Sequence, residues 1–199
     1  NTHTRNLIKE NTEEKILAGA IASEGRFALA TQAEDYASHL NVYLADGSLQ
    51  YEYDFSQAYV TALALNSNGS RGAAAGIMAK DGAMLSVLYV FDFNEEKPLY
   101  TITSEDNMIL EIQWGSDGTV AAVGDRKTVW VDTNSGNAEE YSYNGQQLTA
   151  YAMDGSRVLL SLSSYSVSGA CTVTEFRGNP KPVTTITSSS SVKSLSLYG

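Results

Sequence analysis

An all-β fold built from repeated four-stranded units is what the 199-residue sequence predicts. Three observations carry that prediction. Polar-Gly turns recur about every 40 to 50 residues, in "ASEGRFALAT", "NSNGSRGAAAG", "GSDGTVAAVG" and "AMDGSRVLLSL". Each turn, at Gly25, Gly69, Gly118 and Gly155, separates two runs of small and aliphatic residues. The composition, with 12 Tyr, 16 Gly and only 18% charged residues, suits strands joined by tight turns.

The turn fixes the order of the runs within each unit. A hairpin turn needs residues that tolerate positive φ, and Glu-Gly, Asn-Gly and Asp-Gly supply them. Third runs come next as "LNVYLADG", "LSVLYVFDF", "TVWVDTNSG" and "CTVTEFRGN", and fourth runs as "LQYEYDF", "PLYTIT", "AEEYSYN" and "KPVTTIT". Their period-2 alternation is the signature of strands with two unlike faces. Four short strands in about 40 to 50 residues make one blade of a β-propeller. The fold class is therefore β-propeller-like, with four antiparallel blades near residues 16–58, 59–107, 108–146 and 147–191.

Small residues recur at one phase of the unit, which supports this reading. "AGAIA", "TALAL", "TAYAM" and "KSLSL" suit an innermost strand, and "FALAT", "GAAAG" and "VAAVG" its neighbour, where converging blades leave the least room. The ends read as partial blades, 1–15 and 192–199. "TRNLIK" (4–9) sits where a fourth strand would close a preceding blade, and 192–198 where a first strand would open the next. A rival reading of the N-terminus is a helix capped by Asn11, with Glu13 and Glu14 in its first turn. The sequence opens on Asn1 rather than Met, so a fragment of a larger propeller is expected.

Composition bounds the chemistry. A chain this long buries roughly 70% of its unfolded surface and needs no staples. Its formal net charge of −10 repels phosphate backbones, so no nucleic-acid partner is expected. Cys171 is the only cysteine and lies in the alternating run "ACTVTEF", as a small core residue would. With one Cys and two His, His3 and His39, no common transition-metal shell is expected, nor any tightly bound cofactor. No apolar run approaches membrane-span length, and no signal peptide is visible.

The turns "SNG" and "SDG", followed by "AAVG" and later by "VWVDTNSG", resemble those of WD-repeat-like and quinoprotein-like propellers. "LEIQWGSDGTVAAVGDRKTVWVDTNSG" and "QLTAYAMDGSRVLLSLSS" are similar to repeats of an uncharacterised family of Gram-positive bacterial proteins. In that family a membrane helix precedes an outward-facing propeller. The resemblance implies a membrane-anchored parent and an extracellular or cell-surface setting. It has no assigned activity, so it supplies no functional residues. The Trp-Asp pair of a true WD strand is missing, with Trp130-Val131-Asp132 only an approximation, and no Gly-His dipeptide opens a blade.

No nucleophile elbow, phosphate loop or dinucleotide glycine pattern occurs. "NSNGSRG" lacks the acidic ligands of a calcium loop and reads as a turn. Carboxylates cluster at Glu13-Glu14, Asp92 with Glu95-Glu96, Glu105-Asp106 and Glu139-Glu140, as solvated turns do. Tyr51, Tyr53, Tyr141 and Tyr143, with Trp114 and Trp130, are expected in blade packing. Propellers bind through loops at one face. The long loops here are 31–40 and 163–170, and the candidate ligand-binding residues are Tyr36, His39, Tyr59, Asp106 and Tyr165. No catalytic or metal-binding residue is singled out. The expected function is a non-catalytic binding or scaffold module for a protein or a glycan. Self-association through open propeller edges is also expected. The alternative is a carbohydrate-active enzyme, a glycan hydrolase or lyase, whose site needs blades beyond this chain.

Overall fold

The computed structural model describes residues 14–164 and 169–198. They form sixteen strands in four antiparallel sheets, each in sequential order. The first blade contains β1 (Ile16–Ile21), β2 (Phe27–Thr31), β3 (Ser38–Tyr43) and β4 (Leu49–Phe55). The second contains β5 (Tyr59–Leu65), β6 (Arg71–Lys80), β7 (Ala83–Asp92) and β8 (Tyr100–Glu105). The third contains β9 (Ile109–Trp114), β10 (Thr119–Gly124), β11 (Lys127–Asp132) and β12 (Ala138–Ser142). The fourth contains β13 (Gln147–Asp154), β14 (Arg157–Ser163), β15 (Cys171–Arg177) and β16 (Pro182–Ser188). No helix occurs among the described residues, so the fold is all-β as the sequence predicts.

The turn glycines Gly25, Gly69, Gly118 and Gly155 all have positive φ. Each joins the first strand of its blade to the second. These turns and those between third and fourth strands form the lower face. The loops between second and third strands, and those between blades, form the upper face.

The core lies between blades, in three clusters among the described residues. Small residues on one blade receive large ones from the next. Ala28 and Ala30 of the first blade share a cluster with Phe91 and Phe93 of the second. Ala73 and Ala75 face Val120, Val129 and Val131 of the third. Ala121 and Trp130 pack with Leu160 and Phe176 of the fourth, and the Trp130 and Phe176 rings lie 5.3 Å apart. Within the second blade the room is as tight at Gly72, where a Cβ would stand 2.6 Å from the Phe93 ring. The innermost strands β1, β5 and β9 pack side by side and line a trough of about 570 Å³.

A buried hydroxyl joins adjacent blades near the upper face. Ser38 Oγ accepts the Val60 N–H that opens the second blade (3.0 Å), and Ser86 Oγ accepts the Ile109 N–H that opens the third (2.9 Å). In the third blade the corresponding Thr128 instead shares a 2.7 Å hydrogen bond with the Tyr143 phenol, which also donates to Gly124 O at 3.0 Å. The third and fourth blades are tied lower down. Gln113 Oε1 accepts the Gly155 N–H at 2.8 Å, and its Nε2 donates to Met153 O at 3.4 Å.

One expectation about the ends changes, and one rival reading falls away. Residues 192–198 form no strand, although the alternation of "KSLSL" survives in their exposure pattern. A strand is held by a neighbour, and none of the four sheets among the described residues takes this segment as a further strand. The N-terminal helix reading gives way to β1, which begins at Ile16 and pairs with β2. Residues 4–9, Asn11 and Glu13 lie outside the described residues.

Candidate functional site

The most distinctive feature of the upper face is the β6–β7 hairpin. Both its strands have ten residues, against five to eight elsewhere. Pairing with β5 stops at Tyr59↔Ile77 and pairing with β8 at Leu85↔Glu105, while β6 and β7 continue to Lys80↔Ala83. The tip therefore stands above the sheet as a two-stranded ribbon. Asp81 (φ 51) and Gly82 (φ 79) turn it, and Asp-Gly with two positive φ values matches the right-handed twist of the flanking strands.

Beside this ribbon, between the first two blades, lies a cleft of about 540 Å³. Tyr36 from the β2–β3 loop and Tyr59 from the start of β5 line it, with Ile77, Met78 and Met84 from the hairpin. Tyr36 is 46% exposed, Tyr59 61% and Met84 63%, so this lining is apolar surface left open to solvent. Glu34 and Asp35 stand on the same wall, and among the described residues no Lys or Arg lines the cleft.

A second cleft, of about 850 Å³, lies over the third blade and its junction with the fourth. It is polar. Glu105, Asp106, Asp125 and Glu140 line it with Arg126 and Lys127, and no aromatic among the described residues does. Lys127 Nζ pairs with Glu140 at 3.0 Å. Its rim is pinned by Asn107, which is 5% exposed. Asn107 Oδ1 accepts the Arg126 and Lys127 N–H groups (3.2 and 3.1 Å), and Nδ2 donates to Ser104 Oγ at 3.2 Å. Gly124 makes room for this side chain: a Cβ there would lie 2.2 Å from Asn107 Oδ1.

The five candidate residues are thus divided. Tyr36 and Tyr59 meet in the apolar cleft. Asp106 (φ 50) belongs to the polar one. His39 lines neither of these two clefts. It lies on β3, where Nδ1 contacts Asp54 Oδ1 on β4 and Nε2 lies 2.9 Å from the Asn41 amide. Tyr165 lies outside the described residues. Sequence reasoning missed Met78 and Met84. Their signal is the Asp81-Gly82 pair within "IMAKDGAML", flanked by apolar residues on both sides.

Electrostatic shifts mark the lower face and the core. On the lower face the Ser48 hydroxyl and N–H hold Asp46 below the usual carboxylate range, and the Asn134 N–H does the same for Asp132. Arg177, then Arg157, lower Glu175 against the opposing effect of burial. Among tyrosines, burial pushes Tyr51 up to about 12, with Tyr53 adding to the effect. Burial also raises Tyr143, against the hydrogen bond from Thr128.

Four sheets stacked through their faces, with loops gathered above, define a β-propeller arc, and solved structures agree. The chain belongs to the family of unknown function DUF5711, whose model matches residues 2–192. No curated protein matches the sequence. The hydrazine synthase of Kuenenia stuttgartiensis is similar in structure, with a TM-score of 0.59 at 12% identity over 90% of this chain and 51% of that one. The Dos1 propeller gives 0.60 at 13% identity, over 87% and 46%. The WD40 β-propeller domain of Doa1 gives 0.52 at 12% identity, over 88% and 55%. At such identity the likeness concerns the fold alone. The chain spans about half the length of these structures.

Proposed function

We propose that the chain is a non-catalytic binding or scaffold module that engages its ligand, a protein or a glycan, at the upper face. The observation that carries this reading is the open apolar cleft of Tyr36, Tyr59 and Met84. Exposed aromatic and methionine surface costs solvation unless a partner covers it, and Met and Tyr adapt to varied ligands. A glycan hydrolase needs carboxylates placed across the sugar from each other, whereas Glu34 and Asp35 are neighbours on one wall of this cleft and no other carboxylate among the described residues lines it. The resemblance to anchored Gram-positive propellers supports a setting outside a bacterial cell.

The test combines a glycan array, a peptide array and a reducing-end hydrolysis assay on the wild-type protein and Tyr59→Ala. The expected result is retention on one array, lost in the variant, without turnover. Turnover of a bound glycan would favour the enzyme reading.

Self-association belongs to the same proposal. The outer face of the first blade carries Phe27 stacked on Tyr43 (4.8 Å), with Leu49 exposed, and the fourth blade leaves Val183 and Ile186 exposed. Apolar burial is short-ranged and survives salt, whereas surface repulsion is screened. Light scattering over a dilution series at moderate salt should show mass rising with concentration. A constant monomeric mass would remove this part of the proposal.

A further inference from the structure

We infer that the cleft between the first and second blades takes an extended peptide segment in which Lys or Arg stands next to a large apolar side chain. The inference rests on the binding-module reading and adds the class of partner. Two features of the cleft support it.

The first is charge. Glu34 and Asp35 stand on the wall that also carries Tyr36, and among the described residues no cation lines the cleft to balance them. The nearest basic residue along the ribbon is Lys80, which adjoins Asp81 at the tip. An apolar floor of Tyr59, Met78 and Met84 with an acidic wall complements a segment that is apolar on one side and basic on the other. The polar cleft over the third blade differs here, because Arg126 and Lys127 already answer its carboxylates.

The second is backbone. Beyond Ile77, β6 has β7 on one side and, among the described residues, no strand on the other, although Met78, Ala79 and Lys80 are still in extended conformation. That edge lies next to Tyr59, on the border of the cleft. A free strand edge is a template for an added strand, whose main-chain hydrogen bonds give affinity while pockets select side chains. A peptide lying there would place alternate side chains against Tyr59 and Met84 and present its cations to Glu34 and Asp35.

Panning an unbiased library of short random peptides against the wild-type protein, with counter-selection on Tyr59→Ala, tests the inference. Enriched peptides should pair Lys or Arg with Phe, Leu or Trp. Their affinity, read by fluorescence anisotropy, should fall about tenfold in Glu34→Gln/Asp35→Asn, two exposed substitutions. It should also weaken as salt rises. Enrichment of acidic or uncharged peptides, or affinity indifferent to the two carboxylates, would overturn the inference and leave the binding-module reading intact. So would oligosaccharide binding that Tyr59→Ala abolishes. If no peptide or glycan distinguishes the wild type from Tyr59→Ala, both fail.

Discussion

Where the first and second blades meet, six aromatic rings, Tyr51, Tyr53, Phe55, Tyr89, Phe91 and Phe93, pack with centroids 5.0 to 6.5 Å apart. Where the third and fourth meet, Trp130, Tyr141 and Phe176 fill the corresponding space, but Tyr143 turns its phenol inward to Thr128 and Gly124. The surface above mirrors the core beneath. Over the aromatic junction the apolar surface continues upward into the cleft of Tyr36 and Tyr59. Above the third blade, the Asn107 pin and the Lys127–Glu140 pair mark a polar floor. One backbone unit thus carries two binding chemistries, because the loops and the long hairpin vary while the strand frame does not.

The largest test of the contrast is truncation of Phe91, which contacts all five other rings of its cluster. Phe91→Ala should cost about 3–5 kcal/mol in urea unfolding. Phe176→Ala, with two ring partners, should fall toward the lower end of that range. Equal losses would mean that ring packing does not distinguish the junctions.

Next come the polar pins. Asn107→Ala leaves the Arg126 and Lys127 N–H groups without their acceptor, and about 2 kcal/mol should be lost. Ser86→Ala strips one N–H, that of Ile109, and about 1 kcal/mol is expected. A Ser86 effect larger than that of Asn107 would reverse the order.

Alkaline pH should act at the aromatic junction through Tyr51. Its phenol donates to Glu96 O at 3.3 Å and titrates at about 12 in the folded protein, above the unfolded value near 10. The folded state therefore holds this proton more tightly. The associated stability is fully present below pH ~10 and is lost as pH rises toward ~12. Tyr51→Phe should remove one late step from the tyrosinate absorbance titration, and an unchanged curve would count against the assignment. The smallest effect is expected at Glu140→Gln. Glu140 is more than half exposed, so its pair with Lys127 should contribute less than about 1 kcal/mol to thermal stability.

Much of the fold is legible in the sequence. The turns at Gly25, Gly69, Gly118 and Gly155 and the alanine runs between them locate the strands, because period and turn chemistry are local properties. Tyr36 and Tyr59 are legible as exposed loop aromatics, and the structure adds that they share a cleft. His39 is harder. Whether it faces a loop or its cross-strand neighbour Asp54 depends on register, which no single strand reveals. The hairpin tip is harder too: alternation marks the third run only from Leu85, so Ala83 and Met84 read as loop although they belong to β7. "KSLSL" shows the opposite limit, a strand-like pattern that joins none of the four described sheets.

Ser38 and Ser86 have a consequence for cooperativity. Stacked repeats behave as a line of nearest-neighbour units, and opening spreads only as far as each unit depends on the last. A hydroxyl that holds an N–H at the start of the next blade makes that dependence explicit. Losing the first blade orphans Val60, and losing the second orphans Ile109. Thr128 makes no such reach, since its hydroxyl is engaged with Tyr143. The first three blades should therefore open together, and the fourth, tied to the third only lower down through Gln113, can open ahead of them. In native-state amide exchange, Leu160 and Val173 should lose protection before Val87 and Val120, and one shared opening free energy across all four would show that the chain unfolds as a single unit.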